Sequence, residues 1–158
     1  MSFPTQDTIF GTIIYKDKKY DILNNPLEKT LYQKITQYKK DNDCVISTAP
    51  WNNNKFQWII EDDELYLVSI KFKLCQNKNN LISEIFNIKK LFASWLNDDV
   101  KLLISKKEIE HINNGKVKVQ RDILILKFSN GILIDTINEI EEYKTLNLEY
   151  YIGDDNEN

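Results

Sequence analysis

The dipeptide Asn130-Gly131 restricts the folding of this chain more than any other short stretch. It stands between two apolar runs, residues 122–129 and 132–137. Asn-Gly in this position is typical of a β-hairpin, because both residues tolerate the positive φ angles that a type I′ turn requires. The pattern therefore predicts two antiparallel strands joined by a two-residue turn.

Two more pairs of segments show the alternation of apolar and polar residues that is typical of β-strands. Residues 8–16 and 20–23 predict a hairpin near the start of the chain. Residues 55–61 and 65–74 predict another hairpin, with two aspartates in its turn. Much of the chain is therefore expected to form antiparallel sheet.

Residues 25–28 have the composition of a helix start. Asn25 can cap the free amides of the first turn, and Pro26 suits the first helical position. Apolar residues then recur at helical spacing, so we predict a helix over residues 26–39 that packs on the sheet. Its apolar stripe consists of Leu27, Leu31, Ile35 and Tyr38.

Residues 81–96 fit two interpretations. Either one helix covers the whole segment, or a short helix over residues 81–87 precedes a strand over residues 91–96. We prefer the second, in which Asn97-Asp98-Asp99 turns the chain into a strand over residues 100–105. The remaining predicted elements are a short strand over residues 43–48 and a short helix over residues 138–146.

Together these elements predict an α+β fold, mainly an antiparallel β-sheet with one or two helices packed on it. The chain length of 158 residues fits a single domain over residues 1–158, with residues 153–158 as a frayed acidic tail. The 42% of hydrophobic residues is enough for a sizeable core. The residues that we expect in this core are Phe56, Trp58, Tyr66, Val68, Ile70, Leu124, Leu126 and Phe128.

Cysteine and histidine are too scarce for most metal or nucleophile chemistry. Cys44, Cys75 and His111 are the only such residues in the sequence, whereas a structural zinc site needs about four ligands. We predict that both cysteines are unbonded thiols that bind no metal. No HExxH or GxSxG motif and no glycine-rich phosphate loop occurs. The sequence therefore predicts a protein that is not an enzyme and has no metal or cofactor.

The sequence shows no signal for a membrane. The first residues lack the basic and apolar regions of a signal peptide, and no apolar run approaches the roughly 20 residues of a membrane span. With reduced thiols, this predicts a cytoplasmic protein with no membrane partner. A net charge of −3 and a single arginine, Arg121, argue against a nucleic-acid partner.

Charge is distributed unevenly along the chain. Residues 135–158 carry a net charge of −7, whereas the preceding residues carry +4. This acidic end is either a solvated surface or a contact for a basic partner, in which tyrosines among the acids would serve as buried anchors. The candidate contact residues of this end are Glu141, Glu142, Tyr143, Glu149, Tyr150 and Tyr151.

Two smaller acidic clusters, Asp62-Asp63 and Asp98-Asp99, lie in predicted turns. Neighbouring carboxylates can bind Mg²⁺ or act as an acid–base pair. Aspartate is also a favoured turn residue, and we prefer that explanation. Both clusters are kept as candidate contacts for a partner.

The motifs Asn25-Pro26-Leu27-Glu28 and Ser47-Thr48-Ala49-Pro50-Trp51 resemble those of a widespread set of small bacterial cytosolic proteins. An aromatic strand and Leu65-Tyr66-Leu67 continue the resemblance, which also supports a helix and then a strand in residues 81–96. The set has Arg-Gly-Tyr where this chain has Asn52-Asn53-Asn54, so a role of that arginine is not carried over. Its members are similar in size and charge to immunity proteins of bacterial toxin systems, including contact-dependent growth inhibition.

These observations lead to a functional hypothesis. The chain would be a cytoplasmic immunity protein that binds a cognate toxin domain, such as a nuclease, and occludes its active site. Trp51 is a further candidate contact, since a buried tryptophan would serve as an anchor in the interface. The alternatives are a binding module of unrelated role, or a hydrolase that uses a pair of carboxylates.

Overall fold

The computed structural model describes residues 8–44, 54–112 and 114–146. These residues form eight strands and two helices. No helix in these ranges is both long and apolar enough to cross a membrane. The strands are β1 (Thr12–Tyr15), β2 (Lys18–Ile22), β3 (Asn54–Glu61), β4 (Glu64–Phe72), β5 (Leu91–Phe92), β6 (Asp99–His111), β7 (Lys116–Ser129) and β8 (Ile132–Leu146), and the helices are α1 (Lys29–Asp41) and α2 (Ile82–Phe86).

The strands form one sheet in the order β3-β1-β2-β6-β7-β8-β4-β5. β3 also pairs with β4, so the sheet closes on itself. Among the pairings of the described strands, all are antiparallel except β1 with β3. The predicted α+β class, with a mainly antiparallel sheet and two helices, is confirmed.

The three predicted hairpins are present, and each has a two-residue turn. Both turn residues have positive φ in Lys16-Asp17, Asp62-Asp63 and Asn130-Gly131. Such turns match the right-handed twist of the strands that they join. The preference of Asn, Asp and Gly for positive φ suits the second and third turns, whereas the first turn includes a lysine and lies at residues 16–17 and not in the predicted interval 17–19.

A β-bulge in β4 changes which of its residues face the core. Gln57 pairs with Ser69 but Trp58 pairs with Leu67, so Val68 is an extra residue. Before the bulge, Leu65 and Leu67 are buried, and Tyr66 and Val68 are only half-buried, contrary to prediction. Of the remaining predicted core residues, Leu124 is partly buried and the buried ones are Phe56, Trp58, Ile70, Leu126 and Phe128.

Helix α1 begins three residues later than predicted. The side chain of Asn25 accepts a hydrogen bond from the amide of Leu27 at 3.1 Å, which forms a turn before the helix. Glu28 is the N-cap and makes no side-chain capping bond. Ile35 is buried and Tyr38 packs against the core, as the apolar stripe predicted.

In two other segments the sequence left a choice between helix and strand or predicted a helix, and the structure decides each. In residues 81–96 the preferred order of a helix and then a strand is confirmed, but β5 covers only residues 91–92 of the predicted strand over 91–96. The predicted helix over residues 138–146 is wrong, because this segment belongs to β8 and pairs with β7 along its length. In the predicted strand over residues 43–48, Asp43 lies in a turn, and residues 45–48 lie outside the described residues.

Strands β6, β7 and β8 form a long three-stranded ribbon. β7 is buried on both faces, with Leu126 and Phe128 in the main core and Ile123 and Ile125 on the opposite face. β2 pairs with β6 at Leu102 and Leu103, and β4 pairs with β8 at Ile132. Within the described residues no other strand flanks the ribbon beyond these pairs. We call residues 104–111, 116–122 and 134–146 the arm.

Cys44 and Cys75 form a disulfide, so the prediction of two unbonded thiols is wrong. Their Cα atoms are 4.5 Å apart although 31 positions separate them in sequence. The bond joins the segment after α1 to the segment after β4. Only the packing of α1 beside β4, seen in the contact of Tyr38 with Phe72, brings these segments together.

Candidate functional site

The described candidates of the acidic end lie on a strand. Successive residues of β8 point to opposite faces, so Glu141 and Tyr143 share one face and Glu142 lies on the other. The acidic end is therefore not one helical surface. The candidates Trp51, Glu149, Tyr150 and Tyr151 lie outside the described residues.

Glu141 is held by the arginine opposite it on β7. Nε and Nη2 of Arg121 donate to Oε2 of Glu141 at 2.9 and 2.7 Å. The guanidinium carbon of Arg121 lies 5.3 Å from the ring centroid of Tyr143. The charge of Glu141 is thus balanced by Arg121 on the neighbouring strand. The contacts of Arg121 with Glu141 and Tyr143 connect β7 to β8.

Glu142 is paired in the same way on the other face of the arm. Nζ of Lys118 lies 3.2 Å from Oε2 of Glu142. An exposed pair of this kind contributes only about 0–1 kcal/mol to stability, but it offsets the charge. Glu141 and Glu142 therefore present less negative charge to a partner than the sequence suggests.

The aspartates of the β3–β4 turn have a structural role. Asp62 and Asp63 have φ angles of 52° and 62°, values that Asp tolerates better than most residues. The main-chain oxygen of Asp63 accepts a hydrogen bond from the amide of Leu133 at 2.7 Å, which connects this turn to β8. Their carboxylates are exposed at the end of the hairpin.

Asp98 and Asp99 also make their structural bonds through the main chain. The amide of Phe128 donates to the oxygen of Asp98 at 3.3 Å. The side chain of Asn24 donates to the oxygen of Asp99 at 2.6 Å. Their carboxylates are not needed for these bonds and remain available for other contacts.

The two aspartate pairs lie at one end of the sheet, which we call the hairpin end. Asp63 is bonded to Leu133 and Asp98 to Phe128, and these two residues are neighbours on either side of the β7–β8 turn. Glu141 lies nine positions along β8 from Ile132, about 30 Å at the rise of a strand. The predicted acidic contacts thus form two separate surfaces.

A cavity of about 540 Å³ opens at the hairpin end. Its carboxylates are those of Glu28, Asp98 and Asp99, and no lysine or arginine is among the described residues that line it. We call it the acidic cavity. The other lining residues are Asn24, Asn25, Pro26, Leu27, Trp95, Leu96 and Asn97.

Hydrogen bonds between distant segments hold the walls of the acidic cavity. The indole Nε1 of Trp95 donates to the oxygen of Pro26 at 2.8 Å. The side chain of Asn24, which donates to Asp99, also accepts from the amide of Lys101 at 2.8 Å. The segment before α1 is thus attached both to the β5–β6 connection and to β6.

Sequence reasoning had named Asp98 and Asp99 but missed Glu28 and Trp95 as parts of the same site. Both residues were assigned to helix or strand patterns. About seventy positions separate the two halves of the cavity, and the bond of Trp95 to Pro26 spans 69 of them. No local pattern reports such a contact.

Within the described residues there is no group of three or more His, Cys, Asp or Glu side chains that could hold a metal ion. No family model, no curated protein and no solved structure matches the chain. The resemblance to small bacterial cytosolic proteins therefore stays a prediction. The arrangement of the site, an acid-lined cavity with fixed walls, is what bears on function.

Proposed function

We propose that this protein is a non-enzymatic immunity protein that binds a basic toxin domain at its hairpin end. The observation that carries the proposal is the acidic cavity, which is lined by Glu28, Asp98 and Asp99 and by no lysine or arginine among the described residues. A lysine or arginine side chain of the toxin is the chemical group that this cavity fits. The exposed pair Asp62-Asp63 extends the negative charge at the same end.

The mechanism would be occlusion. A nuclease binds phosphates in a basic cleft, and a protein surface rich in carboxylates is attracted to such a cleft and excludes the substrate. An arginine of the toxin would bind the cavity more tightly than a lysine, because its guanidinium can bind two carboxylate oxygens and contact the ring of Trp95. The activity of the toxin would be blocked without any reaction on the immunity protein.

The walls of the cavity support tight binding because they are fixed before the partner arrives. Asn24 and Trp95 are already hydrogen-bonded to main-chain atoms. A site that is ordered in advance loses less conformational entropy on binding. We therefore expect association without a large rearrangement at the hairpin end.

The test is co-expression with the C-terminal domain encoded by the gene upstream, scored by growth. Asp98→Asn with Asp99→Asn removes two charges and keeps the main-chain bonds of both residues. We expect weaker protection and a slower association rate, with the largest difference at low salt. Glu110→Gln, which removes an exposed carboxylate near the other end of β6, is the matched control.

Full protection by the double variant, with an unchanged association rate, would contradict the proposal. Reversing Glu141 and Glu142 is a less suitable test, because these changes also break the pairs with Arg121 and Lys118. Neutral substitutions in the cavity avoid that problem. A thermal melt of each variant separates lost binding from lost folding.

The cytoplasmic location belongs to the same proposal. The bonded pair Cys44–Cys75 weighs against it, because cytosolic thiols are mostly kept reduced. Thiol trapping in intact cells decides the matter. Two alkylated cysteines would support a cytoplasmic immunity protein, and none would favour a protein that matures in an oxidising compartment.

A further inference from the structure

Among the described residues, no strand pairs with the outer edge of β8 along most of its length. The amide of Leu133 donates to Asp63, which ends the contact with β4. From Ile134 to Glu142, no strand among the described residues pairs with the side of β8 that faces away from β7. A strand edge of this length is a template for another strand.

The direction of the β7 amides identifies which β8 amides point outward. Phe128 donates to Asp98, on the side of β7 away from β8. β7 has no bulge between residues 121 and 128, so its even-numbered residues all point that way. Their partners Thr136, Asn138 and Ile140 must then direct their own amides to the outer edge.

Of the three outward amides, that of Thr136 already donates a hydrogen bond, and those of Asn138 and Ile140 have no partner within the described residues. The amide of Thr136 donates to the carboxylate of Asp135 at 2.8 Å. For the amides of Asn138 and Ile140, the described part of the chain offers no hydrogen-bond partner. An incoming strand can therefore bond here without displacing anything in the sheet.

The side chains along this edge differ between the two faces. Asp135, Ile137 and Glu139 lie on one face, since their partners on β7 are Lys127, Ile125 and Ile123. Ile140 lies on the other face and is 66% exposed. An added strand would meet carboxylates on one side and an apolar side chain on the other.

Charge selects between the possible occupants. Residues 134–142 contain four acids and no base, so pairing β8 with β8 of a second copy would bring acids together. Asp135 and Glu139 have no ion pair within the described residues. A basic strand is the complementary occupant.

We infer that the outer edge of β8, from Ile134 to Glu142, binds an extended segment of a partner protein in which basic and apolar residues alternate. The segment adds to the sheet as a further strand. Main-chain bonds to Asn138 and Ile140 supply affinity, and Asp135 and Glu139 select the basic side chains. Asn138, at the middle of this edge, lies about 20 Å along β8 from Ile132, so binding there does not depend on the acidic cavity.

The probe is a short peptide that alternates lysine and valine, added to the full chain. We expect saturable binding, with chemical-shift changes at the amides of Asn138 and Ile140. Asn138→Pro removes one outward amide without removing a bond to β7, and proline is tolerated on such edges. It should weaken binding about tenfold, whereas Asn138→Ala should bind like the original chain.

A second experiment changes the peptide and leaves the protein unchanged. N-methylation of the peptide amides that face β8 should abolish binding, and methylation of the other amides should not. A peptide with glutamate in place of lysine should fail to bind. Equal binding of the two methylated peptides, equal binding of the glutamate peptide, or a chain dimer that Asn138→Pro dissociates would each overturn the inference.

Discussion

At the scale of single residues, polar side chains connect parts of the chain that are distant in sequence. Asn24 reaches both Asp99 and Lys101, and Trp95 reaches Pro26. These bonds replace main-chain pairing where β2 ends beside β6. They also explain why the residues around the Asn25-Pro26-Leu27-Glu28 motif act as a wall of the cavity and not only as a helix start.

Asn24→Ala should destabilise the protein by about 1–3 kcal/mol, because it leaves the half-buried oxygen of Asp99 and amide of Lys101 without their partner. Asn25→Ala is the matched control. Its side chain makes one exposed bond, to the amide of Leu27, so we expect a loss of about 0.5 kcal/mol or less. Urea unfolding measures both, and equal losses would contradict the role given to Asn24.

Tyr38 gives a pH dependence with a defined sign. Its hydroxyl donates to Oε2 of Glu84 at 2.6 Å, and this bond with burial raises the pKa of Tyr38 to about 12. Folding thus favours the protonated phenol, whose contribution to stability is complete below pH 10 and is lost as the pH approaches about 12. An absorbance titration should show one tyrosine that ionises at a higher pH than the others, and Glu84→Ala should lower the pKa of Tyr38. An unchanged titration in that variant would contradict the assignment.

At the scale of elements, turns and bulges decide which face each strand presents. The bulge at Val68 moves Leu65 and Leu67 into the core and turns Tyr66 outward. The turn at Asn130-Gly131 sets the register of the longest hairpin. It also packs against the segment around β5, where the amide of Gly131 donates to the oxygen of Leu96 at 2.9 Å.

Gly131→Ala should destabilise the protein by about 2–3 kcal/mol. Gly131 has a φ of +80°, and an added Cβ would lie 2.4 Å from the main-chain oxygen of Ala93, which cannot move as a side chain can. Asn130→Gly is the control, because glycine readily adopts the φ of 50° found there. Thermal melts should show a clear loss for the first variant and little change for the second; similar melting temperatures would refute this account.

At the scale of the whole molecule, the disulfide restrains the packing of α1 against the sheet. Cys44 and Cys75 close a loop of 31 positions, and the two ends would be far apart in an unfolded chain. Lys39 lies nearby, over the ring of Phe72, and burial lowers its pKa. The bond therefore holds together the region in which α1, β4 and α2 meet.

Reduction of the disulfide should lower the free energy of unfolding by about 3 kcal/mol, mainly because the reduced unfolded chain has more conformational freedom. Cys44→Ser with Cys75→Ser should give a similar loss. Denaturant unfolding with and without reductant measures it, and the double serine variant should no longer respond to reductant. A response that persists in this variant would show that the reductant acts elsewhere.

Local chemistry determined much of the fold. The three positive-φ turns, the alternating strands and the stripe of α1 depend on residues that are close in sequence, so the α+β class and the hairpins were predictable. Only the tertiary structure decided that residues 138–146 extend β8, because this segment forms a strand by pairing with β7, whose matching residues lie up to 30 positions away in sequence. The disulfide, the acidic cavity and the open edge of β8 were likewise decided by packing. Each depends on segments many positions apart, and no local pattern of residues encodes such a distance.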